Sequence, residues 1–127
     1  MSRKIYEQVE HDSGEVTRYK RWSNGDGFVA ARAEVHPSAF IGVNTYVEPG
    51  ASIGKAAWIG DASWIDADAR IGAGSFIGTN VHIGAGAEIG WDVRIGSGSR
   101  IAAGATIKPG SRLAHDTRIG EENVLAA

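Results

Sequence analysis

The segment LAHDTRIG at residues 113–120 places His115 directly before Asp116. An imidazole can take a proton from a hydroxyl or an amine, and a carboxylate can orient the ring and stabilise the imidazolium. A second histidine, His82, also lies in the later half of the chain. Four arginines there could bind a phosphate or a carboxylate: Arg94, Arg100, Arg112 and Arg118. Which of these groups can act together depends on the elements that hold them.

A repeat of six residues organises most of the chain. Every sixth residue from Val29 to Leu125 is aliphatic, at 17 consecutive positions without an insertion. The residue four places later is small or slender at every repeat from Ala33 to Thr117, and the series ends with Asn123. This period fits neither a helix stripe nor a simple alternating strand, and it predicts a solenoid of short strands.

A sharp turn is predicted three residues after each aliphatic position. Eleven of the 16 such places hold residues that tolerate left-handed backbone angles: Asn44, Gly50, Asp68, Gly74, Asn80, Gly86, Asp92, Gly98, Gly104, Gly110 and Asp116. Asp116 is therefore explained by the repeat alone. His115 is not, because its position in other repeats takes alanine, proline, serine, valine and other residue types, so the repeat does not require an imidazole.

The pattern over residues 29–127 resembles the hexapeptide repeat of bacterial acyltransferases, which form left-handed parallel β-helices. The resemblance implies an all-β prism in which three repeats make one coil of 18 residues, giving about five coils. Residues 1–28 lie outside the repeat and contain two β-rich arms around a DSGE turn. We predict that they form an N-terminal β-hairpin that covers the first coil, whose edge would otherwise present unpaired backbone groups.

In such coils, residues 18 apart stack, so each face can be described as a column of outward residues. One column is an ordinary solvated surface: Glu34, Ser52, Arg70, Glu88 and Thr106. A second begins with aromatic residues and ends with arginines: Phe40, Trp58, Phe76, Arg94 and Arg112. The third also begins with aromatic residues and ends with arginines, and it has a histidine between them: Phe28, Tyr46, Trp64, His82, Arg100 and Arg118.

Two explanations account for the outward aromatic residues. The hairpin, with Ile5, Tyr6, Val9, Tyr19 and Trp22, could cover one of the two ladders. Alternatively, Phe40, Tyr46, Trp58, Trp64 and Phe76 form the interface of a homotrimer, since exposed apolar patches on soluble proteins mark interfaces. The favoured hypothesis is the trimer, and both arrangements can coexist.

The arginine columns and His82 admit more than one role. Stacked arginines repel unless an anion lies among them, either acidic residues in ion pairs or a bound phosphate or carboxylate. His82 could serve as a base, bind an anion or pack on Trp64, of which packing is the simplest.

The LAHD segment also resembles the corresponding segment of the UDP-N-acetylglucosamine O-acyltransferase of lipid A synthesis. The resemblance implies that His115 is a general base oriented by Asp116, acting on a sugar hydroxyl or amine. It further implies an acyl thioester, such as acetyl-CoA, in a groove between subunits. This thioester is a cosubstrate, and no permanently bound cofactor is expected.

Composition excludes several classes of function. With 13 basic and 15 acidic side chains, no global field would attract nucleic acid or an anionic membrane. There is no cysteine, and no two histidines have the spacing of a γ-class carbonic anhydrase zinc site, so no metal is predicted. The beginning MSRKIYEQVE lacks the apolar core of a signal peptide, and a cytoplasmic protein is expected.

Two hypotheses remain. The first is a trimeric, acyl-CoA-dependent O- or N-acyltransferase that acts on a small-molecule acceptor between subunits. The second is a noncatalytic β-solenoid, a structural or assembly module, which the uninterrupted repeat favours. A histidine beside open space in a groove would favour the first, and a groove filled by side chains would favour the second.

Overall fold

The computed structural model describes residues 6–10, 16–120 and 124–125. These residues form 19 β-strands and no helix, so within them no helix could cross a membrane. All but the first two strands are two or three residues long and are separated by turns. The strands stack into three sheets, which are named here in the order in which the β-helix enters them.

The first sheet has eight strands, two of which form a hairpin. Its members are β1 (Tyr6–Glu10), β2 (Val16–Arg21), β3 (Phe28–Ala30), β6 (Tyr46–Val47), β9 (Trp64–Ile65), β12 (His82–Ile83), β15 (Arg100–Ile101) and β18 (Arg118–Ile119). The second sheet contains β4 (Glu34–Val35), β7 (Ser52–Ile53), β10 (Arg70–Ile71), β13 (Glu88–Ile89), β16 (Thr106–Ile107) and β19 (Val124–Leu125). The third contains β5 (Phe40–Ile41), β8 (Trp58–Ile59), β11 (Phe76–Ile77), β14 (Arg94–Ile95) and β17 (Arg112–Leu113).

Residues 18 apart are partners throughout the three parallel ladders. Trp64 pairs with His82, His82 with Arg100, and Phe76 with Arg94, as the outward columns predict. The predicted all-β parallel β-helix of about five coils is therefore confirmed.

The core is a stack of aliphatic side chains along the axis of the prism. Every aliphatic repeat position from Ile41 to Leu113 is buried, whereas Val35 and Ile119, near the two ends, are partly buried. Buried hydroxyls occupy some of the small positions without leaving an unpaired group. Ser63, for example, donates to the Gly78 carbonyl at 3.0 Å and accepts from the Val81 N–H at 3.1 Å. Such pairing removes the cost of burying a hydroxyl in an apolar core.

All eleven predicted turn residues have positive φ, between 53° and 81°. Ala56 and Ala62 occupy equivalent places and also adopt positive φ, at 59° and 56°. At these two alanines the stacking of the coils therefore imposes a left-handed turn that the side chain disfavours.

The predicted hairpin forms, with β1 antiparallel to β2 and β2 antiparallel to β3. Its predicted DSGE turn lies outside the described residues, as do the side chains of Ile5, Tyr6 and Val9. Tyr19 is 2% exposed and packs edge-on against Tyr46, which stacks on Phe28. The hairpin therefore covers the early part of one aromatic ladder.

Candidate functional site

A groove of about 380 Å³ runs along the later coils of the first sheet. The charged and polar residues lining it are Asp66, His82, Arg100 and Arg118, and its floor is made of small residues such as Gly84 and Ala102. The spacing of 18 residues places His82, Arg100 and Arg118 on successive strands. The groove thus combines an imidazole, a carboxylate and two guanidinium groups on one face.

His82 is held between an aromatic platform and a carboxylate. Its ring stacks on Trp64 with centroids 4.3 Å apart and planes inclined by 8°. Its Nε2 lies 3.5 Å from Oδ2 of Asp66, a long contact between side chains that are 32% and 27% exposed. A proton on Nε2 that faces Asp66 leaves the lone pair of the neutral ring on Nδ1.

Asp66 was not predicted to belong to the site, yet the coil geometry explains its position. The outward residues immediately before and after an aliphatic position lie on the same face, so residues 16 apart are diagonal neighbours on adjacent coils. Glu48 and Trp64 have the same spacing, and the Trp64 indole Nε1 donates to Glu48 at 2.7 Å. The same diagonal joins Asp66 to His82.

The aromatic platform beneath His82 is anchored to the hairpin. The carboxylate of Glu48 accepts hydrogen bonds from both the Trp64 indole and the Tyr19 hydroxyl. Burial, followed by the hydrogen bond to Glu48, raises the pKa of Tyr19 above its ordinary value. Tyr19 therefore stays a neutral donor at physiological pH. Glu48, which lies two coils from His82, holds Trp64 in place.

Arg100 is held by the backbone beside His82. Its Nη1 donates to the carbonyls of Asn80 at 2.9 Å and Ser99 at 3.3 Å. Within the described part of the chain, neither Arg100 nor Arg118 forms an ion pair with a carboxylate. Both side chains are exposed and line the groove, so their N–H groups can donate to an anion there.

The other two arginines lie elsewhere. Arg94 and Arg112 are exposed on the third sheet, where they follow Phe76. The four arginines assigned to cosubstrate binding are therefore divided into two pairs on different faces, and only Arg100 and Arg118 accompany His82.

His115 has a structural role at a corner between coils. Its Nδ1 accepts a hydrogen bond of 3.0 Å from the backbone N–H of Ser97, one coil earlier. In the same column of corner residues, Ser97 Oγ accepts from the Thr79 N–H, and Asp61 accepts from the Val43 N–H, each at 3.0 Å. His115 thus replaces a capping serine or aspartate, and the neutral ring must carry its proton on Nε2.

Asp116 makes no hydrogen bond to His115 in the described structure. It occupies the left-handed turn at φ 60°, as the repeat requires. His115 lies two coils from the strand of His82, a separation along the axis of about 10 Å. The structure therefore does not combine His115 and His82 in one site, and it gives His82 the neighbouring carboxylate.

The second aromatic ladder is stacked and open to solvent. Phe40, Trp58 and Phe76 have ring centroids 4.9 and 4.6 Å apart and nearly parallel planes. Phe76 is 40% exposed, Trp64 on the first sheet is 45% exposed, and Trp91 at a corner is 59% exposed.

No group of three potential metal ligands exists among residues that the structure describes.

Comparison with known proteins agrees with this fold. Residues 56–90 and 68–103 match the family model described as the bacterial transferase hexapeptide (six repeats). No curated protein matches the chain.

The chain is also similar to solved structures of bacterial acetyltransferases. A mutant of perosamine N-acetyltransferase from Caulobacter crescentus, in complex with CoA and GDP-perosamine, is 27% identical with a TM-score of 0.77, and the match covers 79% of this chain and 48% of that one. The acetyltransferase domain of PglB from Neisseria gonorrhoeae, in complex with acetyl coenzyme A, is 23% identical with a TM-score of 0.58, covering 80% and 54%. A hexapeptide-repeat acetyltransferase from Vibrio cholerae is 19% identical with a TM-score of 0.66, covering 78% and 66%. The chain thus matches about half to two thirds of the length of these proteins, and the last two likenesses concern the fold alone.

Proposed function

Because the chain is a hexapeptide-repeat protein that resembles bacterial acetyltransferases, we propose that it transfers an acyl group from an acyl-CoA to a small molecule. The acceptor would be a hydroxyl or an amino group, for which an amino sugar is the first class to test. The similar perosamine N-acetyltransferase was solved with CoA and a nucleotide-linked amino sugar. CoA would be a cosubstrate that binds and leaves in each cycle.

The observation that supports this proposal is the position of His82 between Asp66 and Arg100 in an open groove. A histidine held by a carboxylate is the usual arrangement of a general base. Arginines without carboxylate partners suit the phosphates of CoA, because guanidinium groups donate several hydrogen bonds in a fixed plane.

The chemistry assigned to these residues is a single acyl transfer. Nδ1 of His82 would take the proton of the acceptor as its oxygen or nitrogen attacks the thioester carbonyl carbon. The carbon–sulfur bond then breaks, and the CoA sulfur leaves with the proton that His82 returns. Asp66 would hold the ring through Nε2 and stabilise the imidazolium while the proton resides on it.

We further propose that the groove is completed by a neighbouring subunit of a homotrimer. The groove is open on its outer side, and the exposed aromatic side chains of the first and third sheets lie on adjacent faces of the prism. Burying Trp58, Trp64 and Phe76 between copies would remove a large apolar area from water, which favours association. A second copy would then supply the missing wall of the site.

Titration calorimetry with CoA tests the proposed function directly. We expect CoA to bind the wild type, and we expect Arg100→Ala and Arg118→Ala each to weaken binding about tenfold, because each loses hydrogen bonds to a charged group. The matched control is Arg70→Ala, which removes an arginine from the equivalent outward position on the second sheet. A wild type that ignores CoA, or an equal loss in the control, would contradict the proposal.

Light scattering tests the trimer. We expect a wild-type mass of about 40 kDa, three times the chain mass of 13.3 kDa, and monomers for the double variant Trp58→Ser with Phe76→Ser. Val16→Ser serves as the control, because Val16 is an exposed apolar residue on the hairpin, away from both ladders. An unchanged mass in the double variant would show that the third-sheet ladder is not the interface.

A noncatalytic assembly module is the second candidate, and a specific observation favours it. His115 caps a corner and His82 packs on Trp64, so both histidines have structural contacts that explain their presence. If CoA fails to bind and the chain stays monomeric, the exposed aromatic faces would be surfaces for other proteins.

A further inference from the structure

The hairpin and the loop that follows it close two of the three sheets at the N-terminal end of the prism. On the first sheet, Lys20 of β2 pairs with Val29 of β3. On the third sheet, Ile41 donates to the Asn24 carbonyl and accepts from the Gly27 N–H, both at 2.9 Å. The backbone of Val29 and that of Ile41 are thus fully paired at this end.

The second sheet is not closed in this way. Among the residues that the structure describes, its terminal strand, β4, pairs with β7 alone. The N–H and C=O of Val35 and the C=O of Ala33 are directed away from β7, as their equivalents are in every deeper coil. No residue in the described ranges bonds to these three groups. Val35 is also only partly buried, whereas Val29 and Ile41 are 5% and 0% exposed.

A groove of about 790 Å³ lies beside this open edge. Its apolar floor includes Val35 and the Trp22 ring, whose indole Nε1 is fixed by a 2.9 Å hydrogen bond to the Ala39 carbonyl. Its charged lining consists of Glu34 and two lysines, Lys20 and Lys55. A strand edge with unpaired backbone groups next to an apolar groove is a site for strand addition.

We propose that this edge binds an extended segment of a partner protein as an additional parallel strand. The partner would place an aliphatic side chain over Val35 and a basic side chain beside Glu34. The same sheet shows this chemistry three coils deeper, where Arg70 pairs with Glu88 and Ile71 with Ile89. Opposite charges on directly paired residues stabilise a sheet, and acidic residues flanking the strand would complement Lys20 and Lys55.

A peptide with the sequence of residues 66–73, DADARIGA, is the probe, because it carries this arginine and isoleucine with two preceding aspartates. In the register of the coils, its arginine N–H would donate to Ala33, and its glycine N–H would donate to Val35. The Val35 N–H would donate to the carbonyl of the arginine. We expect amide NMR shifts confined to the open edge and the groove, with slower hydrogen exchange at Val35, at about 1 mM peptide.

Two altered peptides test the register. Glutamate in place of the arginine should weaken binding about fivefold, because it would lie against Glu34. On the Glu34→Lys variant of the protein the preference between these two peptides should reverse. N-methylglycine in place of the glycine should also weaken binding, because it removes the hydrogen bond to the Val35 carbonyl.

The outcomes distinguish strand addition from other forms of binding. Reversal of the charge preference together with the N-methyl effect would support the proposal. Absence of any shift would overturn it, and so would equal binding of all three peptides to both proteins, which would indicate nonspecific apolar contact.

Discussion

The Ile77→Asp variant is expected to lose cooperative unfolding altogether. Ile77 is 0% exposed and lies between Ile59 and Ile95 in the third-sheet stack, within the apolar core. A carboxylate there has no room for water and no cation among its partners, so burying it costs several kcal/mol. A small domain has only about 5–15 kcal/mol of stability, and the coils on either side of Ile77 depend on each other for burial.

Thermal unfolding followed by circular dichroism measures this effect. Ala73→Asp is the matched control, because Ala73 is an exposed corner residue four positions earlier in the same coil region. The control should unfold near the wild-type temperature. A cooperative transition in Ile77→Asp close to that of the control would mean that the assigned register of the core is wrong.

The His82→Asn variant is expected to lose acyl transfer by about 10²- to 10⁴-fold, the usual contribution of a general base. Asparagine keeps a planar group near Trp64 and Asp66 but cannot take up the proton. His115→Ala, in contrast, should retain the rate and lose only about 1 kcal/mol of stability, because its Nδ1 merely caps the Ser97 N–H.

The measurement is the release of CoA thiol from acetyl-CoA with a panel of amino sugars, free and nucleotide-linked. Calorimetric binding of CoA to His82→Asn separates loss of chemistry from loss of cosubstrate binding, since binding should be unchanged. Loss of the rate in His115→Ala, with retention in His82→Asn, would reverse the assignment of the base.

Sequence alone determined the fold, because few structures other than a parallel β-helix direct one aliphatic and one small residue inward in every six. Because one coil has 18 residues, residues 18 apart are strand partners. The ladder from Phe40 to Phe76 and the column from Trp64 to Arg100 can therefore be predicted from residue numbers. The left-handed turns were predictable from glycine, asparagine and aspartate, although Ala56 and Ala62 gave no such signal.

Tertiary structure decided the roles of the histidines. The adjacency of His115 and Asp116 in sequence suggested a pair, but the ring nitrogen of His115 is bonded to the Ser97 backbone. Asp66, 16 residues from His82, is the carboxylate that the structure places beside an imidazole. The 18-residue spacing predicts which residues stack directly. The diagonal contact between Asp66 and His82 depends in addition on side-chain rotamers, which the repeat does not fix.

Tertiary structure also decided which strand edges are covered at the N-terminal end of the prism. The sequence predicted that a hairpin would cover the first coil, and the backbone of Val29 and Ile41 is indeed paired. Within the described ranges Val35 is left with an open edge, because the two hairpin strands and the loop after them follow only two of the three sheets. A repeating sequence specifies the interior of a stack through local periodicity, but the path of the chain beyond the repeat determines which of its edges remain available to a partner.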